Sequence, residues 1–261
     1  VEVSTLIESG KPRRFLDLTC LVAGLEAVFA RVAEQILMRV RGGVNSVEAA
    51  SSTIEEFREL LLSLPETDIT NARIAGLVGE LLVLRRLLDR SPDAWKSWRG
   101  PTGARHDFMR GSTALEVKVS LGRGQTLVAI NGLEQLREPE GGCLYLQHFE
   151  LEAVSGGLLS ISGLGRAVLA AASEENRVRE LLAAVGCADV DDEAWNTTGF
   201  HLENETLYQV RSGFPRLIAT DLPKAVSNAI TEVRYVIDLS SASAFQVDKV
   251  SVGKVEALLV P

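Results

Sequence analysis

The stretch that most restricts the fold is residues 113–121, Thr-Ala-Leu-Glu-Val-Lys-Val-Ser-Leu. Side chains of a β-strand alternate between its two faces. Leu115, Val117 and Val119 therefore share one face, and Glu116, Lys118 and Ser120 share the other. The apolar row is continuous enough to demand burial. Gly111 and Ser112 precede the strand and suit a turn, so residues 103–120 read as a β-hairpin. Asp107 falls near the end of its first strand. The hairpin thus gathers two acids and a lysine on a rigid element.

The rest of the chain reads as helices before this hairpin and mixed elements after it. Residues 1–14 are mixed and polar, a strand or a loose start. Apolar residues recur at three and four from Leu18 to Leu37, which predicts a helix over 15–41 ended by Gly42-Gly43. Ser46 caps a second helix reaching Leu64, with Pro65 as the stop. Asp68 or Thr70 caps a third, running to Arg90. Downstream, strands are expected over 125–130 and 143–152, and a short helix over 132–138. A single long helix is expected over 162–184. Strands over 200–203 and 206–212 are expected to meet at an Asn204-Glu205 turn. Residues 221–230 read as a short irregular or helical segment. A strand over 232–239 precedes a tail of loop and strand. The order implies a mixed α/β fold, with a helical N-terminal region (1–66) packed on a second domain (67–261).

Composition narrows the function. The chain has 261 residues, 46% of them apolar, so a large core is available. No apolar run is long enough to cross a membrane. Cys20, Cys143 and Cys187 are far apart and odd in number, as expected of free thiols in a reducing cytoplasm. The formal charge of −8 argues against a general nucleic-acid coat. Residues 91–125 depart from it, with six basic residues against three acidic ones. Arg105, Arg110 and Arg123 lie in this segment and suit an anionic partner. His106 can touch a phosphate, although a loop histidine more often bonds main chain. Aromatic residues at 5% disfavour a stacking platform for single strands. Gly163-Leu-Gly165 lacks the rest of a dinucleotide fingerprint.

Asp107, Glu116 and Lys118 fit the spacing D-x8-E-x-K. Two close carboxylates form a hard-oxygen site for Mg2+. A metal there polarises a phosphoryl oxygen and activates water, and a lysine adds positive charge to the developing transition state. On spacing alone, a surface salt bridge is the commoner explanation. Glu80, amid Leu77, Val78, Leu81 and Leu82, either faces solvent or points at something cationic. Gln135 could reach the same place, though by itself it reads as a surface amide.

Together these residues carry a resemblance. Gly79-Glu80-Leu-Leu, the run from Trp98 through Arg105-His-Asp-Phe, Leu115-Glu-Val-Lys-Val and Leu133-Glu-Gln-Leu resemble the PD-(D/E)xK nuclease superfamily. More closely, they resemble a bacterial family grouped with it, as do Phe214-Pro-Arg-Leu and Val233-Arg-Tyr-Val-Ile-Asp-Leu. His106 stands where the motif's name has Pro, a position its chemistry does not need. The resemblance implies a restriction-endonuclease-like core, a central mixed sheet flanked by helices. It implies metal binding by Asp107 and Glu116, Lys118 as the motif lysine, Glu80 as a helix glutamate and Gln135, more loosely, as an active-site glutamine. The activity implied is a cytoplasmic, Mg2+- or Mn2+-dependent DNA endonuclease of bacterial restriction or phage defence. Cutting a duplex needs two sites, which suits a homodimer. The alternative is a catalytically silent subunit of this fold that binds DNA or other defence-system proteins.

Overall fold

A computed structural model describes residues 2–8, 11–19, 26–63, 69–223 and 229–261. The chain forms two compact units, residues 1–68 and 69–261. The first holds an antiparallel hairpin, β1 (Glu2–Glu8) and β2 (Lys11–Asp17), then helices α1 (Glu26–Arg41) and α2 (Ser46–Ser63). The expected first helix therefore begins too early, because residues 11–17 pair as a strand. Leu64, Pro65, Asp68 and Cys20 lie outside the described residues.

The second unit begins with α3 (Asn71–Leu88), whose N-cap is Thr70: its hydroxyl accepts a hydrogen bond from the Arg73 N–H. Next come β3 (Phe108–Arg110), β4 (Thr113–Leu121), β5 (Leu127–Asn131) and β6 (Cys143–Val154). Helices α4 (Ile161–Ala171) and α5 (Glu175–Ala184) precede β7 (Gly199–Val210), β8 (Arg234–Asp238) and α6 (Lys249–Leu258). The central sheet has the order β3-β4-β6-β7. The β4–β6 pair is parallel and the others antiparallel, while β5 and β8 form a separate antiparallel ribbon.

The alternation along β4 divides the core as expected. Leu115 and Val117 join Phe149, Leu151 and the apolar residues of α3 in one cluster. Ala114 joins Leu144, Leu146, Val128 and Ile237 in the other. Helix α3 comes closest to the sheet at Gly79, where a Cβ would lie 2.6 Å from Val119 Cγ2 and 3.2 Å from Val117 Cγ1. β-Branched strand residues cannot rotate out of the way cheaply. Gly79→Val is therefore expected to lower stability by about 1–3 kcal/mol or more, read as a lower urea midpoint at unchanged slope. An unchanged midpoint would mean that the helix is not seated this closely.

Four expectations are corrected. The single helix over 162–184 is broken at Ala172–Glu174. There Ser173 N–H donates to Pro92 O, and the Ser173 hydroxyl links Trp95 Nε1 to Asp93. These tertiary bonds outweigh one more helical turn. The Asn204-Glu205 turn is instead part of continuous β7. The register with β6 slips at Glu150/Leu151, a bulge that accommodates an extra polar residue on an edge strand. The short helix over 132–138 is a series of bends and turns. The tail forms a helix, because Asp248 caps Ser251 N–H while Val255 and Leu259 reach the core. Of the segment 221–230, residues 224–228 lie outside the described residues. No helix among the described residues is long and apolar enough to cross a membrane.

Candidate active site

β3 is short, and its last pair with β4 is Phe108↔Leu115. Continued pairing would set residue 106 opposite Val117. Instead Trp98 bridges to Phe108 and the chain turns away. The free edge of β4 is taken by Asp107, whose Oδ2 accepts the Val117 N–H at 2.7 Å. The main-chain oxygen of Asp107 accepts from Arg99 N–H (2.7 Å) and Gly100 N–H (2.9 Å), which pins the Trp98–Gly100 loop beside it. Asp107 thus lies just before the strand rather than on it, held at both its backbone and its carboxylate.

Glu80 arrives from α3. Its Oε2 accepts the indole N–H of Trp98 at 2.7 Å. Gly100 lies against both acids: a Cβ there would be 3.1 Å from Asp107 Oδ1 and 3.2 Å from Glu80 Oε2. Glu116 comes from the opposite side of β4 from α3 and is 1% exposed. Its Oε1 meets Lys118 Nζ at 3.0 Å, and Lys118 is 14% exposed. A solvated surface salt bridge is therefore excluded as the description of this pair.

Electrostatics ties these groups together. Burial pushes the Glu80 carboxyl from 4.5 up to about 7, against the Trp98 hydrogen bond, with the Glu116 charge adding to the rise. Burial, then the charges of Glu116 and Glu80, raise Asp107 well above the usual carboxylate range, although the Val117 N–H and Lys118 pull it down. Three carboxylates face one lysine. Fully ionised, the group carries a net charge of −2, with Glu116 buried and Glu80, Asp107 and Lys118 partly so.

That imbalance is what a divalent cation corrects. Glu116 Oε2 is moreover buried without a hydrogen-bond partner. Among the described residues, no three His, Cys, Asp or Glu close into a metal cage. Asp107 and Glu116 fit the looser mode that Mg2+ takes, one or two carboxylates with water completing the shell.

A raised carboxyl pKa makes folding take up a proton. Its stabilising contribution is complete below the ordinary value near 4.5 and is lost as pH rises through about 7. In chelator, unfolding free energy is expected to fall by roughly 1–3 kcal/mol across that window. Glu80→Gln should flatten the profile, and Mg2+ should restore the loss. A variant profile parallel to the wild type would contradict the placement of Glu80.

A family model described as "Putative PD-(D/E)XK family member (DUF4420)" matches residues 2–240. The chain belongs to that family. No curated protein and no solved structure gives a significant match. The PD-(D/E)XK superfamily consists mostly of nucleases that use divalent metals, and the mixed α/β architecture is consistent with its restriction-endonuclease-like core. Asp107, Glu116 and Lys118, whose spacing resembles the superfamily motif, lie close enough to one another and to Glu80 for their charges to interact.

The remaining sequence candidates are placed differently. Gln135 Oε1 accepts the Asn131 N–H and closes the turn after β5, so its amide is engaged locally. Arg105 pairs with Glu134 at 3.2 Å, and Arg110 donates to Val260 O. Arg123 is 88% exposed and 3.9 Å from Glu203. His106 is 3% exposed and lies beside Glu116, inside the fold rather than on the loop's outer surface. The bond from the Trp98 indole to Glu80 was not expected from the sequence. The motif run Trp98–Phe108 contained the signal, but nothing local shows where an indole N–H points.

Other chemistry can be set aside. Ser120 Oγ is 2.8 Å from His148 Nε2, yet its proton goes to Gln125 O, so the imidazole acts as donor and the serine is not activated. Glu150 is occupied by Gly124 N–H and Asn204. Gly165 lies inside α4, where a Cβ would be 2.6 Å from Val190 Cγ1; close packing explains that glycine. A cleft of about 950 Å3 beside β7 mixes Arg86, Lys249, Glu203 and Glu205 and includes none of the converging carboxylates.

Proposed function

We propose that the chain is a divalent-metal-dependent DNA endonuclease of bacterial restriction or phage defence, hydrolysing phosphodiester bonds in the cytoplasm. The observation that carries this reading is the convergence of Glu80, Asp107 and Glu116 around a single lysine in a protein of the PD-(D/E)XK family. Asp107 and Glu116 would hold Mg2+ or Mn2+, which supplies Lewis acidity toward a phosphoryl oxygen and lowers the pKa of water. Lys118, held by Glu116, would supply positive charge to the attacking water and the developing phosphorane. Asp107 is oriented by the Val117 N–H, so its free Oδ1 needs no reorganisation. Glu80, titrating near neutrality, can hold or release a proton beside it. Cleavage of both strands would use two copies of the chain.

A second reading has its own support. Arg105 and Arg110 are engaged within the chain, and the net charge of −8 weakens nonspecific attraction to DNA. On that reading the protein is a silent nuclease-fold subunit that binds DNA or a defence partner.

Plasmid cleavage with Mg2+ or Mn2+ separates the two, with the wild type compared against Asp107→Ala. Nicking or linearisation by the wild type alone supports the enzyme. Intact plasmid under every metal condition supports the subunit, and cleavage surviving Asp107→Ala refutes the site.

A further inference from the structure

His106 is the buried side chain at this site that no motif role absorbs. It is 3% exposed, and neither ring nitrogen has a hydrogen-bond partner. Leaving a buried donor or acceptor unsatisfied costs about 1–3 kcal/mol, so such groups call for a specific reason. Its Nδ1 lies 3.9 Å from Glu116 Oε2, the one carboxylate oxygen there that is likewise buried and unpartnered. The other Glu116 oxygen is taken by Lys118. An imidazole nitrogen and a carboxylate oxygen, neither hydrogen-bonded, therefore face each other across a gap too long for a hydrogen bond.

That gap suits an ion. Metal–nitrogen and metal–oxygen bonds of about 2.0–2.2 Å each together reach a little over 4 Å. Donors 3.9 Å apart can therefore take opposite sides of one cation with little movement. Chain geometry holds the imidazole in place, since His106 precedes Asp107, whose carboxylate and carbonyl are both pinned.

We infer that His106 is a direct metal ligand, paired with Glu116, and that it makes this site a nitrogen–oxygen site selective for a first-row transition ion over Mg2+. Imidazole favours transition ions, whereas an all-oxygen site suits Mg2+. The inference rests on the proposed metal role of Glu116 and extends it by a ligand and a metal class. Sequence alone could not supply it, because a histidine beside a motif aspartate can point either way along the chain.

The test is Mn2+ binding to the full chain, followed by electron paramagnetic resonance with pulsed detection of nitrogen coupling. The wild type is expected to bind Mn2+ with a histidine nitrogen in its coordination shell, and labelling histidine with 15N should change that coupling. This reading needs no variant. His106→Gln, checked for folding by circular dichroism, should lose the coupling and about ten- to a hundredfold in Mn2+ affinity. Its Mg2+ affinity, from competition, should change by less than about threefold. Mn2+ bound without nitrogen coupling, yet lost in Glu116→Gln, would overturn the His106 assignment and leave the carboxylate site standing. Coupling that persists in His106→Gln would overturn it in favour of another histidine. No Mn2+ bound by the wild type, or binding indifferent to Glu116→Gln, would overturn both the inference and the site it rests on.

Discussion

Lys118→Ala is expected to destabilise the folded chain by about 3–5 kcal/mol, the cost of stranding a buried charge whose partner is removed. Glu116 is 1% exposed and relies on Lys118 Nζ at 3.0 Å; its second oxygen already lacks a partner. The ordinary i, i+2 pair on an exposed strand would lose less than about 1 kcal/mol on the same change. The two cases differ by several-fold, so urea unfolding distinguishes them. A second change supplies the control. Glu116→Gln combined with Lys118→Ala should recover most of the lost stability, because the uncompensated carboxylate has gone. Loss of under about 1 kcal/mol in Lys118→Ala would show that water reaches Glu116 and that the pair is not buried.

Asp107→Asn should act in the opposite direction. The amide oxygen can still accept the Val117 N–H, while one of three mutually repelling carboxylates becomes neutral. In chelator the variant is expected to be more stable than the wild type by about 0.5–2 kcal/mol, the familiar cost of keeping a functional site charged. Metal should then separate the proteins again. At a hundred times its dissociation constant, a divalent ion adds about 2.7 kcal/mol to a protein that binds it only when folded. The wild type should gain that increment and Asp107→Asn should not. On the proposed function, cleavage should drop by at least about a hundredfold in the variant. A variant that is less stable in chelator would mean that Asp107 serves the fold through its charge, and the reading of a repelling cluster would fail.

The two variants have opposite expected signs because the site is asymmetric. Glu116 has its own cation, whereas Asp107 and Glu80 share what is left of the lysine's field. On the proposed function, catalysis by a metal would benefit from that deficit. An ion binds most tightly where its charge is missing, and folding tolerates the deficit because α3, Trp98 and the β4 edge hold the acids in place.

The sequence by itself determined the hairpin and which face Glu116 and Lys118 take, since a strand's two-residue period and a Gly-Ser turn are local properties. It also determined α3, whose apolar repeat needs no distant partner, while leaving Asp68 and Thr70 as alternative caps. Distant contacts decided the rest. The Ser173 bonds to Pro92, Trp95 and Asp93 split one helical pattern into α4 and α5, and pairing with β6 absorbed the polar Asn204-Glu205 into a bulged strand. At the site, the sequence supplied the three acids and the lysine, but not their environment. Only the fold could turn Trp98 toward Glu80, place Gly100 between two carboxylates and bury His106 against Glu116. Side-chain direction in a loop depends on what packs around it, and that is set by residues far along the chain.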